Sequence, residues 1–396
     1  MTRSILLLGA ISLAALSAPL AAQPAASVGK IETPAIDSPM RLELLKVQIV
    51  LDRAGFRPGK LDGLGGEFTQ AAHDRYNIAN DIPTGQRLDL SDVAEPFREY
   101  TLTEEDLEWV GKTASTPAAQ EKLPNMPYAN AWELIAEKFH ADLDYVRELN
   151  PDISNPEPGT IFRVPDVEEF SMQRVVALNE ERAAAATAKK KAAEEAEAEP
   201  PAAEEAAPAP SPTATATPAP AGVETIDPEN TAVEDSALLV DQDATPTPTP
   251  SPTPEPTPEP DPVVHLVILR EPRIIELYED DKLTGSFPCT PGSGRVPVPV
   301  GTWEITSNIL MPYFRYDKSV LKDGTRSDNA FNIPPGPNNY VGIVWMGINR
   351  KSVGIHGTNS PDQIGRNESS GCIRLANWDA FTVAQKVKKG TEVEVR

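Results

Sequence analysis

Between residues 200 and 262 the chain loses nearly every residue type from which a core is built. Pro, Ala, Thr, Glu and Asp follow one another there, ending in Thr-Pro and Glu-Pro repeats. Such a segment cannot bury enough apolar surface to offset the entropy of ordering it. Alternating proline favours extended, polyproline-like backbone, so the stretch reads as a long disordered linker, a semi-rigid spacer. It cuts the 396 residues into two parts that must each supply their own cores. The fold class is therefore multidomain.

Downstream of the spacer, residues 263–396 are mostly β. Val- and Ile-rich runs at 263–269, 274–278, 301–306, 340–346 and 392–395 are separated by Gly and Pro. One late helix is predicted, starting at Asn377 or Asp379 and running over 378–387. Lys386, Lys388 and Lys389 close it and Gly390 ends it.

Upstream, residues 1–22 read as a signal peptide: Arg3, a short apolar run, then Ala21-Ala22. That apolar run is too short to span a membrane, and no later one is long enough. An exported protein of the periplasm or cell wall is expected. Residues 38–92 predict a small helical unit. Ser38-Pro39 opens one helix, Gly55 ends it, a turn-rich loop follows, and a second helix covers 67–76. Residues 126–166 give two short helices, a stop at Asn150-Pro151 and a final strand at 159–165. Residues 167–199 are Glu, Ala and Lys with few apolar anchors after Leu178. That reads as a solvated helix.

The net charge of −23 lies almost wholly upstream of residue 263. A phosphate-binding surface needs the opposite sign, so nucleic acid is excluded as a partner. His73, His140 and His265 stand apart from one another and from other ligand types, so neither metal nor cofactor is expected. The two cysteines, Cys289 and Cys372, are read as free thiols. Cys289 ends a strand and suits a small buried hydrophobe.

Chemistry concentrates in two neighbouring segments, Ile355-His356-Gly357-Thr358-Asn359 and Ser369-Ser370-Gly371-Cys372-Ile373-Arg374. They offer a thiol nucleophile in Cys372 and an imidazole base in His356. Gly371 allows a turn in which the N–H groups around Ser370 and Gly371 face an oxyanion. Arg374 would neutralise charge beside the thiol or hold a substrate carboxylate. Cys372 is expected to work as a thiolate paired with the imidazolium of His356.

These segments resemble the signature of the L,D-transpeptidase catalytic domain (YkuD-like): His-Gly, a spacer, then Ser-His-Gly-Cys and Arg or Asn. Ser370 stands where many members of that family carry a second His. The run from Val296 to Trp303 resembles the family's strand entry. The resemblance implies a β-sandwich-like domain, and gives the carbonyl of Gly357 the role of orienting His356. It also implies the substrate, the peptidoglycan stem peptide. Cys372 would form a thioester with release of terminal D-Ala. An amine would then give a 3→3 cross-link or attach an envelope protein to the wall. Two alternatives stay open: an L,D-carboxypeptidase or hydrolase with the same Cys–His pair, or a non-catalytic wall-binding scaffold.

Residues 38–92 are similar to the peptidoglycan-binding-1 family through Gln48, Gly55-Phe56-Arg57-Pro58-Gly59, Asp62-Gly63, Gly66 and Thr69. Residues 126–166 resemble a degenerate LysM module, with Asn130-Ala131-Trp132 in place of the opening Gly-Asp-Thr. Both resemblances imply glycan or stem-peptide partners. A monomer is expected, with the spacer tethering wall-binding units to an independent catalytic domain.

Overall fold

The computed structural model describes residues 33–198, 261–292, 298–319, 325–351, 353–366 and 371–396. The signal-like leader, most of the Pro-rich segment, Val296-Pro297 and Ser369-Ser370 lie outside the described residues.

Helix α1 (Pro39–Arg53) opens where Ser38 accepts a hydrogen bond from the Arg41 N–H, with Pro39 in the first turn. A loop leads to α2 (Glu67–Ala79). Buried Gln48 holds that loop. Its amide donates to Asp62 Oδ1 and Leu64 O, both at 3.0 Å, and its Oε1 accepts from the N–H groups of Asp62 and Gly63. The motif residues of this unit thus bond to one another.

Then follow β1 (Phe97–Thr101), α3 (Glu104–Leu107), α4 (Pro117–Gln120), α5 (Ala131–Lys138), α6 (Leu143–Leu149), β2 (Ile161–Pro165) and α7 (Met172–Ala198). Strands β1 and β2 pair antiparallel, Phe97 opposite Pro165 through Thr101 opposite Ile161. The sequence predicts β2 but not β1, because the partner strand lies well ahead of residue 126. Asn150 clamps α6 to β2. It donates to Val146 O and Arg163 O, and accepts from the Arg163 N–H.

The second half comprises β3 (Val264–Leu269), β4 (Ile274–Glu279), β5 (Lys282–Pro288), β6 (Thr290–Pro291), β7 (Gly301–Leu310), β8 (Phe314–Tyr316), β9 (Phe331–Ile333), β10 (Val344–Ile348), β11 (Gly354–His356), β12 (Ile373–Arg374), α8 (Asn377–Lys386) and β13 (Glu392–Val395). Among the described residues, nine strands form one sheet in the order β5-β4-β3-β13-β7-β10-β11-β12-β6. Among the described residues the domain is mostly β, with α8 as its late helix. Its sandwich-like character comes from a continuous sheet and not from two separate ones. The ten-residue β7 pairs with β13 over 301–304 and with β10 over 305–310, so it belongs to both parts.

The two halves do not stand apart. Gly55 and Arg57 bond the edge strand β5, with Ser286 N–H donating to Gly55 O at 3.1 Å and Arg57 N–H to Ser286 O at 2.7 Å. An otherwise open sheet edge is thereby covered. Arg75 pairs with Glu276 at 2.6 Å and Arg273 with Glu67 at 3.0 Å. One apolar cluster runs from Leu45 and Ile49 through Phe139 and Phe170 to Trp378 and Phe381. Helix α7 begins in the same cluster, with Met172 and Val175 buried. Arg182 donates to Ala384 O at 2.8 Å. The first turns of this helix are therefore packed and not solvated, which its charged composition concealed.

Candidate active site

Strand β11 delivers His356, and β12 follows the Cys372 thiol. They pair in parallel, Ile355 opposite Ile373 and His356 opposite Arg374. Cys372 immediately precedes β12. His356 and Arg374, paired across the two strands, share a face of the sheet, and the Cys372 thiol at the entry to β12 meets the Gly354 backbone of β11. Gly371 has φ +103°, a conformation open to glycine that turns the chain into β12. Ser370, expected to help form the oxyanion site, lies outside the described residues.

His356 is 5% exposed, and its Nδ1 lies 2.6 Å from Gly357 O. A carbonyl only accepts, so Nδ1 carries the proton and Nε2 keeps its lone pair. The Trp345 indole stacks on the ring at 5.5 Å and 17°. It also covers Gly354, where an added Cβ would lie 2.7 Å from the indole. The sequence places Trp345 only within a strand, since nothing in its neighbours marks the face it takes.

Burial pushes the His356 imidazole down to about 4, the Arg374 cation acts the same way, and the Gly357 carbonyl opposes them. Burial also raises the half-buried Cys372 thiol, against the Gly354 N–H and the Arg374 cation, which lower it. The resting pair is thus a neutral thiol and a neutral imidazole. The thiolate–imidazolium pair expected from sequence is disfavoured because desolvation penalises both charged forms.

Cys289 is fully buried, and neither cysteine is in a disulfide. Burial pushes its thiol well above the ordinary range, so it is not an activated nucleophile. Among the described residues no group of three His, Cys, Asp or Glu side chains is arranged to hold a metal. Likewise no described helix is long and apolar enough to cross a membrane.

The β8–β9 hairpin groups Phe314 and Tyr316 with Tyr340 at ring distances of 5.2 to 6.4 Å. Backbone from the first half holds the loop that follows. Met126 N–H donates to Pro335 O at 2.8 Å, and Asn338 N–H to Met126 O at 3.1 Å. Gly336 has φ +145°, and a Cβ there would lie 2.3 Å from Met126 O.

Cys372 at the entry to β12 and a His356 imidazole fixed by the next carbonyl are the groups that cysteine acyl transfer uses. Residues 262–395 match the model of the YkuD family, the L,D-transpeptidase catalytic domain. YkuD of Bacillus licheniformis is 30% identical over 123 residues, 31% of this chain and 59% of that protein. YkuD of Bacillus subtilis is 42% identical over 95 residues, 24% of this chain and 58% of its own length. Both carry L,D-transpeptidase names, and this chain spans somewhat under three-fifths of each. Among solved structures, L,D-transpeptidase 3 from Mycobacterium tuberculosis is 19% identical with a TM-score of 0.29. The match covers 34% of this chain and 61% of that one.

Proposed function

We propose that this chain is an exported L,D-transpeptidase acting on peptidoglycan stem peptides through a thioester on Cys372. The observation that carries the reading is the Nδ1–Gly357 hydrogen bond, which leaves His356 Nε2 as a lone-pair base on the strand that pairs with β12, which Cys372 enters. The family match of residues 262–395 supports the reaction class.

The steps follow from these groups. Nε2 takes the thiol proton as Sγ attacks the carbonyl of the third stem residue. Because both partners start neutral, the proton moves with the attack and not before it. The tetrahedral oxyanion is held by backbone N–H groups at the turn through Gly371, beside the Arg374 cation. Collapse breaks the amide bond, and the imidazolium returns its proton to the departing D-Ala amine. An acceptor amine then gives its proton to Nε2, attacks the thioester and expels the Cys372 thiolate, which takes the proton back from Nε2. Water in its place gives carboxypeptidation.

The test is mass spectrometry of the full-length chain with a tetrapeptide stem, with and without an amine acceptor. A thioester on Cys372, loss of D-Ala and a cross-linked product are expected. Release of D-Ala with water as the only acceptor would assign the carboxypeptidase. No adduct on Cys372 would overturn the reading.

A further inference from the structure

Residues outside the catalytic domain reach the loop that orients its base. Glu137, at the end of α5, is 6% exposed, and Asn377, at the start of α8, is fully buried. Asn377 Nδ2 donates to Glu137 Oε1 at 2.9 Å and to Pro337 O at 3.2 Å. Its Oδ1 accepts from the N–H groups of Thr358 at 3.2 Å and Ile343 at 3.3 Å. Both donors and both acceptor positions of the amide are occupied, so its orientation is fixed. Thr358 follows Gly357, whose carbonyl accepts from His356 Nδ1. The contact is close: a Cβ on Gly357 would lie 2.3 Å from Asn377 Oδ1. Glu137 is itself held by the Tyr128 hydroxyl at 2.8 Å.

We propose that Glu137 is a positioning residue for His356, acting through the Asn377 amide and the Thr358 backbone. The inference rests on the acyl-transfer reading, and deepens it by placing part of the active-site support in the first half of the chain. Without the Glu137 oxygen, one Asn377 N–H is left unpaired in a buried site. The amide is then held by three bonds instead of four, and it tilts towards another acceptor to satisfy that N–H. Tilted, its Oδ1 draws away from the Thr358 and Ile343 N–H groups, and the loop shifts with them. A displaced Gly357 carbonyl no longer fixes the proton on Nδ1, and the Nε2 lone pair is lost to the other tautomer. Burial pushes the Glu137 carboxyl up to about 8, so the group is largely protonated near neutrality and a glutamine reproduces its acceptor oxygen.

The experiment uses the full-length chain and three variants, Glu137→Ala, Glu137→Gln and Tyr128→Phe. Turnover of a soluble tetrapeptide stem is measured beside nitrogen NMR of the His356 ring. Glu137→Ala should lower kcat about 10- to 100-fold with KM changed less than about twofold, the scale of a misplaced catalytic group. Its ring signals should move from the Nδ1-protonated to the Nε2-protonated pattern. Glu137→Gln should restore both to within about twofold of the parent. Tyr128→Phe disturbs the same packing but leaves the Glu137–Asn377 bond, so its ring pattern should match the parent. An unchanged tautomer in Glu137→Ala overturns the proposal, as does a loss in Tyr128→Phe equal to that in Glu137→Ala. If Glu137→Gln behaves as Glu137→Ala, hydrogen bonding through Asn377 is not the cause and the proposal fails. The NMR readout needs no substrate. A parent protein inactive on stem peptides would therefore sink the functional reading while leaving this one standing on its own data.

Discussion

The burial of His356 fixes where the acid limb of the reaction lies. The perturbation is pH, varied from 4 to 9 on the full-length chain. An imidazole at the ordinary 6.5 would be neutral in only ~10% of molecules at pH 5.5, whereas one titrating near 4 is neutral in ~97%. The base is therefore available about tenfold more often at pH 5.5 than an ordinary histidine would be. Thioester formation should hold nearly constant from pH 7 down to about 5 and fall only as pH approaches 4. The thiol supplies the second half of the test. Burial raises Cys372, so iodoacetamide, which needs a preformed thiolate, should react slowly near neutrality and faster with rising pH. No plateau is expected between pH 5 and 8. Both rates are read by intact mass on Cys372, with Cys289 serving as the unreactive internal control. An acid limb centred near 6.5 would refute the argument. So would alkylation already at full rate by pH 6, because that profile belongs to a thiolate–imidazolium pair.

Other outcomes follow from the same contacts. Cys372→Ala should abolish the thioester, while Cys289→Ala should keep most turnover and cost about 1 kcal/mol of stability from a small cavity; equal losses would mean the wrong thiol was chosen. Arg57 lies 2.5 Å from Asp52 but 3.4 Å from Asp379. Buried Asp379 is therefore only partly compensated, and burial pushes its carboxyl up to about 8. Folding holds a proton that the unfolded chain releases near pH 4, so this stability is complete below that and is lost as pH rises towards 8. Its slope is about 1.4 kcal/mol per pH unit. Thermal melts of Asp379→Asn between pH 6.5 and 8 should fall less steeply than those of the parent; parallel curves would remove Asp379 from the interface argument. Residues 262–396 expressed alone should melt lower and turn over soluble stem peptide more slowly than the full chain. They lose the Met126 backbone pairing, the Glu137 contact and the covering of Trp378 and Phe381. Equal activity would restore the picture of a freely tethered domain.

The sequence by itself determined the composition break and the mostly-β second half with its late helix, and it singled out His356 and Cys372 as candidates. Each was legible because its signal is local. Proline excludes a core wherever it is dense, β-branched runs mark strands, and a thiol and an imidazole in a short window are rare enough to stand out. Ser38-Pro39 and Gly55 marked α1 for the same reason. Tertiary structure decided the rest, because it depends on which faces meet. Strand β1 has no meaning without β2, some sixty residues on. Trp345 became a wall of the site only through its register opposite His356. The resting charge of the Cys–His pair was set by burial, which sequence spacing does not report. Above all, the Pro-rich segment suggested separable halves, yet Arg57 meets Asp379 and Glu137 meets Asn377 across 322 and 240 positions of chain. Composition tells how a linker behaves. Only complementary surfaces, here a sheet edge, a shared apolar cluster and buried polar pairs, tell whether what it links stays apart.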